Sequence, residues 1–141
     1  MPQDIGLRVD LPLAFADAVE RVRHALKQEG FGILTEIDLR AAFREKLDRE
    51  FRPYVILGAC NPPLAFSAVT ADPAVGLLLP CNVTVESAGE MRTVVRLTNP
   101  QALLGGSTLA GSPALADVAR DASERMARVA RTLGEQAGGI T

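Results

Sequence analysis

Apolar residues alternate from Ile5 through Leu7 and Val9 to Leu11, and from Phe15 onward they recur at every third or fourth position. A strand shows its core side at every second residue and a helix at every third or fourth. The chain must therefore enter as a half-buried strand and continue as a helix that lies on it. Phe15, Ala18, Val19, Val22, Ala25 and Leu26 form the helix's stripe, and Gly30 can end it.

The same switching continues to the C-terminus. Residues 31–37 read as a second strand, and Asp38 as the N-cap of a short helix presenting Leu39, Ala42, Phe43 and Leu47. Residues 53–60 are apolar on both faces, which predicts a central strand. Asn61 has the chemistry of an N-cap and Pro62 suits the first helical position, so a helix is expected from there to about Asp72, with Pro73 and Gly76 at its exit. Residues 77–86 read as a fourth strand, with Leu79, Cys81, Val83 and Val85 on one face and Pro80, Asn82, Thr84 and Glu86 on the other. Pro80 cannot donate to a ladder, which predicts an edge, a bulge or an interruption there. Ser87 to Glu90 make a turn, and residues 91–98 complete a hairpin. Residues 99–111 contain three glycines and are expected to be a mobile connection with one helical turn. Ser112 then caps a last helix with Pro113 at its first position and a stripe running from Leu115 to Leu133. Gly134 is expected to end it and residues 135–141 to form a mobile tail. The order predicts an α+β layer: a mainly antiparallel sheet of about five strands with helices on one face.

The length fits one domain, residues 1–141 with a core over 5–134. The chain is 48% apolar but only 4% aromatic, with no tryptophan, so the core must be aliphatic. Fifteen basic against seventeen acidic residues give a net charge of -2, which offers no electrostatic case for nucleic acid or an acidic membrane surface. Arg120, Arg125, Arg128 and Arg131 are interleaved with Asp121 and Glu124, the pattern of a solvated helix face. Met1-Pro2-Gln3-Asp4 lacks the basic start and apolar run of a signal peptide, and no apolar stretch approaches the roughly 20 residues of a membrane span. The expected compartment is the cytoplasm, where cysteines persist as thiols.

The only two cysteines both precede asparagine, in Cys60-Asn61 and Cys81-Asn82. If the third and fourth strands pair antiparallel, Cys60 is expected near Cys81 and Asn61 near Asn82, giving two thiols and two amides in one place. The positive end of a helix starting at Pro62 would lower the pKa of Cys60, and the free N–H groups of its first turn would hold an anion. Three chemistries fit: a transient disulfide or persulfide, a soft metal such as Cu(I) or Zn²⁺ with a dimer supplying further ligands, or an anion held without reaction. Against them stand ordinary structural roles. Cysteine commonly packs as a small hydrophobe, Asn61 is explained as a cap, and Asn82 can tie down the break at Pro80. His24 lies on a polar face without other donors, Lys46 is a solvated cation, and Gly105-Gly106-Ser107-Thr108 lacks phosphate-loop spacing.

The segments Ile56-Leu57-Gly58-Ala59-Cys60-Asn61-Pro62 and Leu79-Pro80-Cys81-Asn82, with Glu29 to Asp38, resemble the family called domain of unknown function 302. The resemblance spans most of residues 5–133. It implies a β-α-β4-α plan similar to the TATA-binding-protein-like folds, and a homodimer. It does not imply an activity, and the cofactor is left unknown. Asp48 stands where the family often has glycine, and the loop from Gly105 to Gly111 is longer than usual. Three readings follow: a homodimeric domain that binds a small ligand, anion or metal at Cys60, Asn61, Cys81 and Asn82; a redox or sulfur-carrier protein using the two thiols; and a structural or protein-interaction domain with no small-molecule site.

Overall fold

The computed structural model describes residues 4–138. Five strands, β1 (Gly6–Leu11), β2 (Gly32–Asp38), β3 (Tyr54–Cys60), β4 (Cys81–Gly89) and β5 (Arg92–Thr98), form one open sheet in the order β1-β5-β4-β3-β2. Every pairing is antiparallel. Five helices accompany them: α1 (Phe15–Gln28), α2 (Leu39–Leu47), α3 (Pro62–Ala71), α4 (Pro100–Gly105) and α5 (Pro113–Gly138). The expected α+β layer is therefore what the chain forms.

The main core lies between the sheet and helices α1 and α5. Val55, Leu57, Val83, Val85, Val95 and Leu97 of the sheet are buried against Val22 and Leu26 of α1 and Met126, Val129 and Leu133 of α5. These are the alternating strand residues and the helical stripes that the sequence pattern marks. A second, smaller cluster joins Ala68 of α3, Val75, Leu104 of α4, and Leu115 and Ala119 of α5. It sits at the end of the sheet where β3 stops and β4 starts.

Several boundaries differ from the sequence reading. Residues Pro73–Leu78 form a 3-10 helix, and β4 begins only at Cys81. Asp72 caps that helix by accepting from the Ala74 N–H at 2.9 Å, and a proline at its first position favours the turn over a strand. β4 is an interior strand, so Pro80 sits just before the ladder, in a cis peptide bond, where no donor is needed. The connection after β5 holds α4 and a 3-10 turn over Thr108–Gly111, more helix than the glycines suggest. Helix α5 runs through Gly134 to Gly138. A lone glycine late in a long amphipathic helix lowers its stability by about 1 kcal/mol without stopping it. The expected tail is thus helical as far as Gly138, and its last three residues lie outside the described part of the chain.

Candidate functional site

The position of each Cys-Asn pair follows from strand register. On adjacent antiparallel strands, Ala59 lies opposite Cys81 and Gly58 opposite Asn82. Cys60 is one residue past Ala59 and therefore diagonal to Cys81. The reversal of direction that leaves the cysteines one residue apart in register separates the asparagines. Asn61 stands three positions beyond the level of Asn82, about 10 Å along the strand at ~3.4 Å per residue. The expected gathering of two thiols and two amides is therefore divided. Asn82 is exposed, and its backbone carbonyl accepts from the Thr98 hydroxyl.

The cysteines stand one residue apart in register, at positions that alternate between the faces of the sheet. Both cysteines line one cavity, and both are only partly exposed. Burial, and then the adjacent Cys60, push the Cys81 thiol up to about 11. Cys81 is therefore a neutral S–H at neutral pH and not a ready nucleophile. Among the described residues, no three histidine, cysteine, aspartate or glutamate side chains group as a metal site would require.

Asn61 is buried, and both ends of its amide are hydrogen-bonded. Its Oδ1 accepts from the Leu64 N–H at 3.3 Å, capping α3. Its Nδ2 donates to the Glu29 carbonyl at 3.4 Å, where Arg125 Nη1 also donates at 3.0 Å. Arg128 Nε holds the Glu29 carboxylate at 2.9 Å. Gly30 follows with φ +84, and a Cβ there would lie 2.9 Å from Asn61 Nδ2. The asparagine thus fastens the end of α1 to the start of α3, with α5 beside both.

The helix mouth is correspondingly empty of donors. Pro62 and Pro63 have no N–H, Asn61 takes the Leu64 N–H, and the Ala65 N–H bonds to the Asn61 carbonyl at 2.9 Å. The anion expected here has nothing to bind. The prolines that mark the helix start in the sequence also strip its first turn of free donors.

What the sequence reading missed is the cavity itself. It has a volume of about 70 Å³ and lies where the two apolar clusters meet. Phe31 and Ala59 bound it from the sheet side, Leu64 and Ala68 from α3, Leu104 from α4 and Leu115 from α5. Its wall is almost wholly apolar. A signal for it is present in the sequence: from Asn61 to Val85, Asp72 is the only charged residue. A surface helix normally keeps one polar side, yet α3 shows Phe66 and Val69 to solvent while Leu64 and Ala68 line the cavity.

A model of the family described as "Domain of unknown function DUF302" matches residues 7–133. No curated protein matches the chain. The crystal structure of an uncharacterized conserved DUF302 protein from Bacillus stearothermophilus is similar to it, with 30% identity and a TM-score of 0.81. That match covers 93% of this chain and 99% of the other. By its sequence across nearly its whole length, and by the sheet and helices that sequence builds, the chain belongs to the DUF302 family.

Proposed function

We propose that this protein is a binding domain for a small uncharged ligand, held by an apolar group in the cavity beside Cys60 and Cys81. The cavity carries the reading. Its wall offers dispersion contacts and a neutral thiol but no fixed charge, and the adjoining helix mouth offers no N–H to an anion. A dry cavity of about 150 Å³ holds benzene. At about 70 Å³ this one suits a group of roughly two or three carbons, the end of a larger molecule or a small molecule alone. A homodimer, which the family resemblance implies, belongs to the same proposal, and sedimentation equilibrium of the full chain tests it.

Xenon and propionate test the ligand reading by methyl NMR. Xenon is expected to shift the methyls of Leu64, Leu104 and Leu115 first, and propionate to leave them unmoved. Ala68→Leu should fill the space and remove the xenon response while the protein stays folded. Saturable propionate shifts at those methyls, or xenon shifts spread evenly over the core, would refute it.

The lining of one cavity by both cysteines supports a second reading, a reversible Cys60–Cys81 disulfide formed with an external disulfide as the oxidant. Incubation with oxidised glutathione should then remove two hydrogens from the intact mass. A stable glutathione adduct on Cys60 with no internal disulfide would end that reading.

A further inference from the structure

A larger crevice opens at the other end of β3, where α1 begins and β2 passes into α2. It has a volume of about 580 Å³, within the range of small-molecule sites. Phe15, Val19 and Tyr54 give it an apolar and aromatic wall, and Glu20 and Asp38 line it as well. Asp38 and Arg40 also line an adjoining notch of about 290 Å³, to which Arg44 and Arg49 contribute. One continuous surface is therefore divided unevenly by charge: Glu20, Glu36 and Asp38 outnumber Arg40 in the wide part, and Arg40, Arg44 and Arg49 outnumber Asp38 and Glu50 in the narrow part.

The ion pairs sharpen that division. Glu36, on the crevice wall, is held by Arg23 at 2.7 Å. In the notch Arg44 is engaged by Glu50 and, at 3.7 Å, by Asp48. Arg40 and Arg49 take part in no ion pair among the described residues. Arg40 also stands in the first turn of α2, which holds no acidic residue. The Asp38 cap, accepting from the Ala41 N–H at 2.9 Å, supplies the negative charge at that helix end.

Arg49 is held in place by the chain. Asp48 adopts a left-handed backbone, φ 51, which turns the chain back along α2. The Arg49 N–H then bonds to the Phe43 carbonyl at 3.3 Å. Phe51 packs edge-on against Phe43 with centroids 5.3 Å apart, and the Arg52 guanidinium lies 4.3 Å over the Phe51 ring. The notch is thus lined from a braced segment, not a free loop.

We infer that this surface binds a small phosphate monoester with a neutral, donor-rich ring body, a nucleoside monophosphate in chemical class. The phosphate lies on Arg40 and Arg49, whose planar forks match its oxygens. The ring body packs in the crevice, with its hydroxyl and amino donors toward Glu20 and Asp38. Glu20 and Glu36, which line only the wide part, disfavour a second phosphate there, so a polyphosphate chain or a nucleic acid strand binds less well than the monoester. This site is separate from the cavity at the cysteines and does not depend on it.

Titration of the full chain with adenosine 5′-monophosphate, adenosine and inorganic phosphate, followed by amide NMR, tests the inference. The monophosphate should bind saturably, shifting residues 15–20, 38–41 and 48–51, with adenosine and phosphate each at least roughly tenfold weaker. Arg40→Ala and Arg49→Ala should each weaken it by about tenfold or more and leave the melting temperature unchanged. Absence of saturation by roughly 5 mM monophosphate, a complex no weaker than millimolar being expected of such a site, would overturn it. So would unchanged affinity in both arginine variants, or inorganic phosphate binding as tightly as the monophosphate, which would mark an adventitious anion site.

Discussion

Replacing Gly30 by alanine probes the junction that Asn61 holds together. The backbone at Gly30 has φ +84, where an L side chain costs about 1–2 kcal/mol. The new Cβ would also lie 2.9 Å from Asn61 Nδ2. The amide would have to move, which disturbs both its bond to Glu29 and its cap on Leu64. Loss of such a cap costs about 1 kcal/mol. Gly30→Ala should therefore destabilise the protein by about 2–3 kcal/mol, and Asn61→Ala by about 1–2 kcal/mol. In the double variant the clash is gone, because the next atom, Arg125 Nη1, is 3.8 Å from the Cβ. The two costs should then fall short of their sum by about 1 kcal/mol. Urea denaturation read by circular dichroism is the appropriate assay, since the chain has no tryptophan and one tyrosine. Additivity within about 0.5 kcal/mol would show that the contact between Gly30 and Asn61 does not couple the two helix ends.

Other outcomes follow from the core and the charges. The folded-state pKa of Cys81 is raised, so its contribution is intact below the thiol's unfolded value and is lost as pH rises toward about 11. Wild type should lose up to about 2–3 kcal/mol across that window, and Cys81→Ala should remove that slope from pH-dependent urea melts. Arg96 and then Arg52 hold the Glu86 carboxyl below its ordinary range. Its contribution is therefore present at neutral pH and lost as acid protonates it, so Glu86→Gln should flatten the acid limb of the stability curve and cost about 1 kcal/mol or less at pH 7. Leu57 is completely buried in the sheet centre, and Leu57→Ala should cost about 3–4 kcal/mol in the same urea assay; a loss under about 1 kcal/mol would show that the surrounding core collapses onto the space.

Local chemistry made much of this fold legible. Asp38 accepts from the Ala41 N–H at 2.9 Å, Asn61 caps α3, and Ser112 accepts from the Leu115 N–H at 3.3 Å. Each is a short-range bond between residues three apart, so neighbouring residue types reveal it. The Cys-Asn repeat was harder to place, because its meaning depends on strand direction. A repeated dipeptide can align both members only between parallel strands, and β3 and β4 run antiparallel. Pro73 to Leu78 misled for another reason: Leu77 and Leu78 are apolar like a strand, but the Asp72 cap and Pro73 close a 3-10 turn first, leaving Leu77 90% exposed. The cavity and the arginine notch join residues far apart in the chain, and no local pattern specifies which walls will meet.

Helix α5 spans both apolar clusters, its first half in the smaller one through Leu115 and Ala119, its second in the larger through Met126, Val129 and Leu133. Over 26 residues it is a rod of about 39 Å. Its two halves rest on foundations of unequal depth, since the smaller cluster holds five buried residues against seventeen in the larger. Thermal excursions should lift the rod from its N-terminal end while the other stays anchored, so amide exchange along this one helix becomes a graded readout of how firmly the chamber roof is seated.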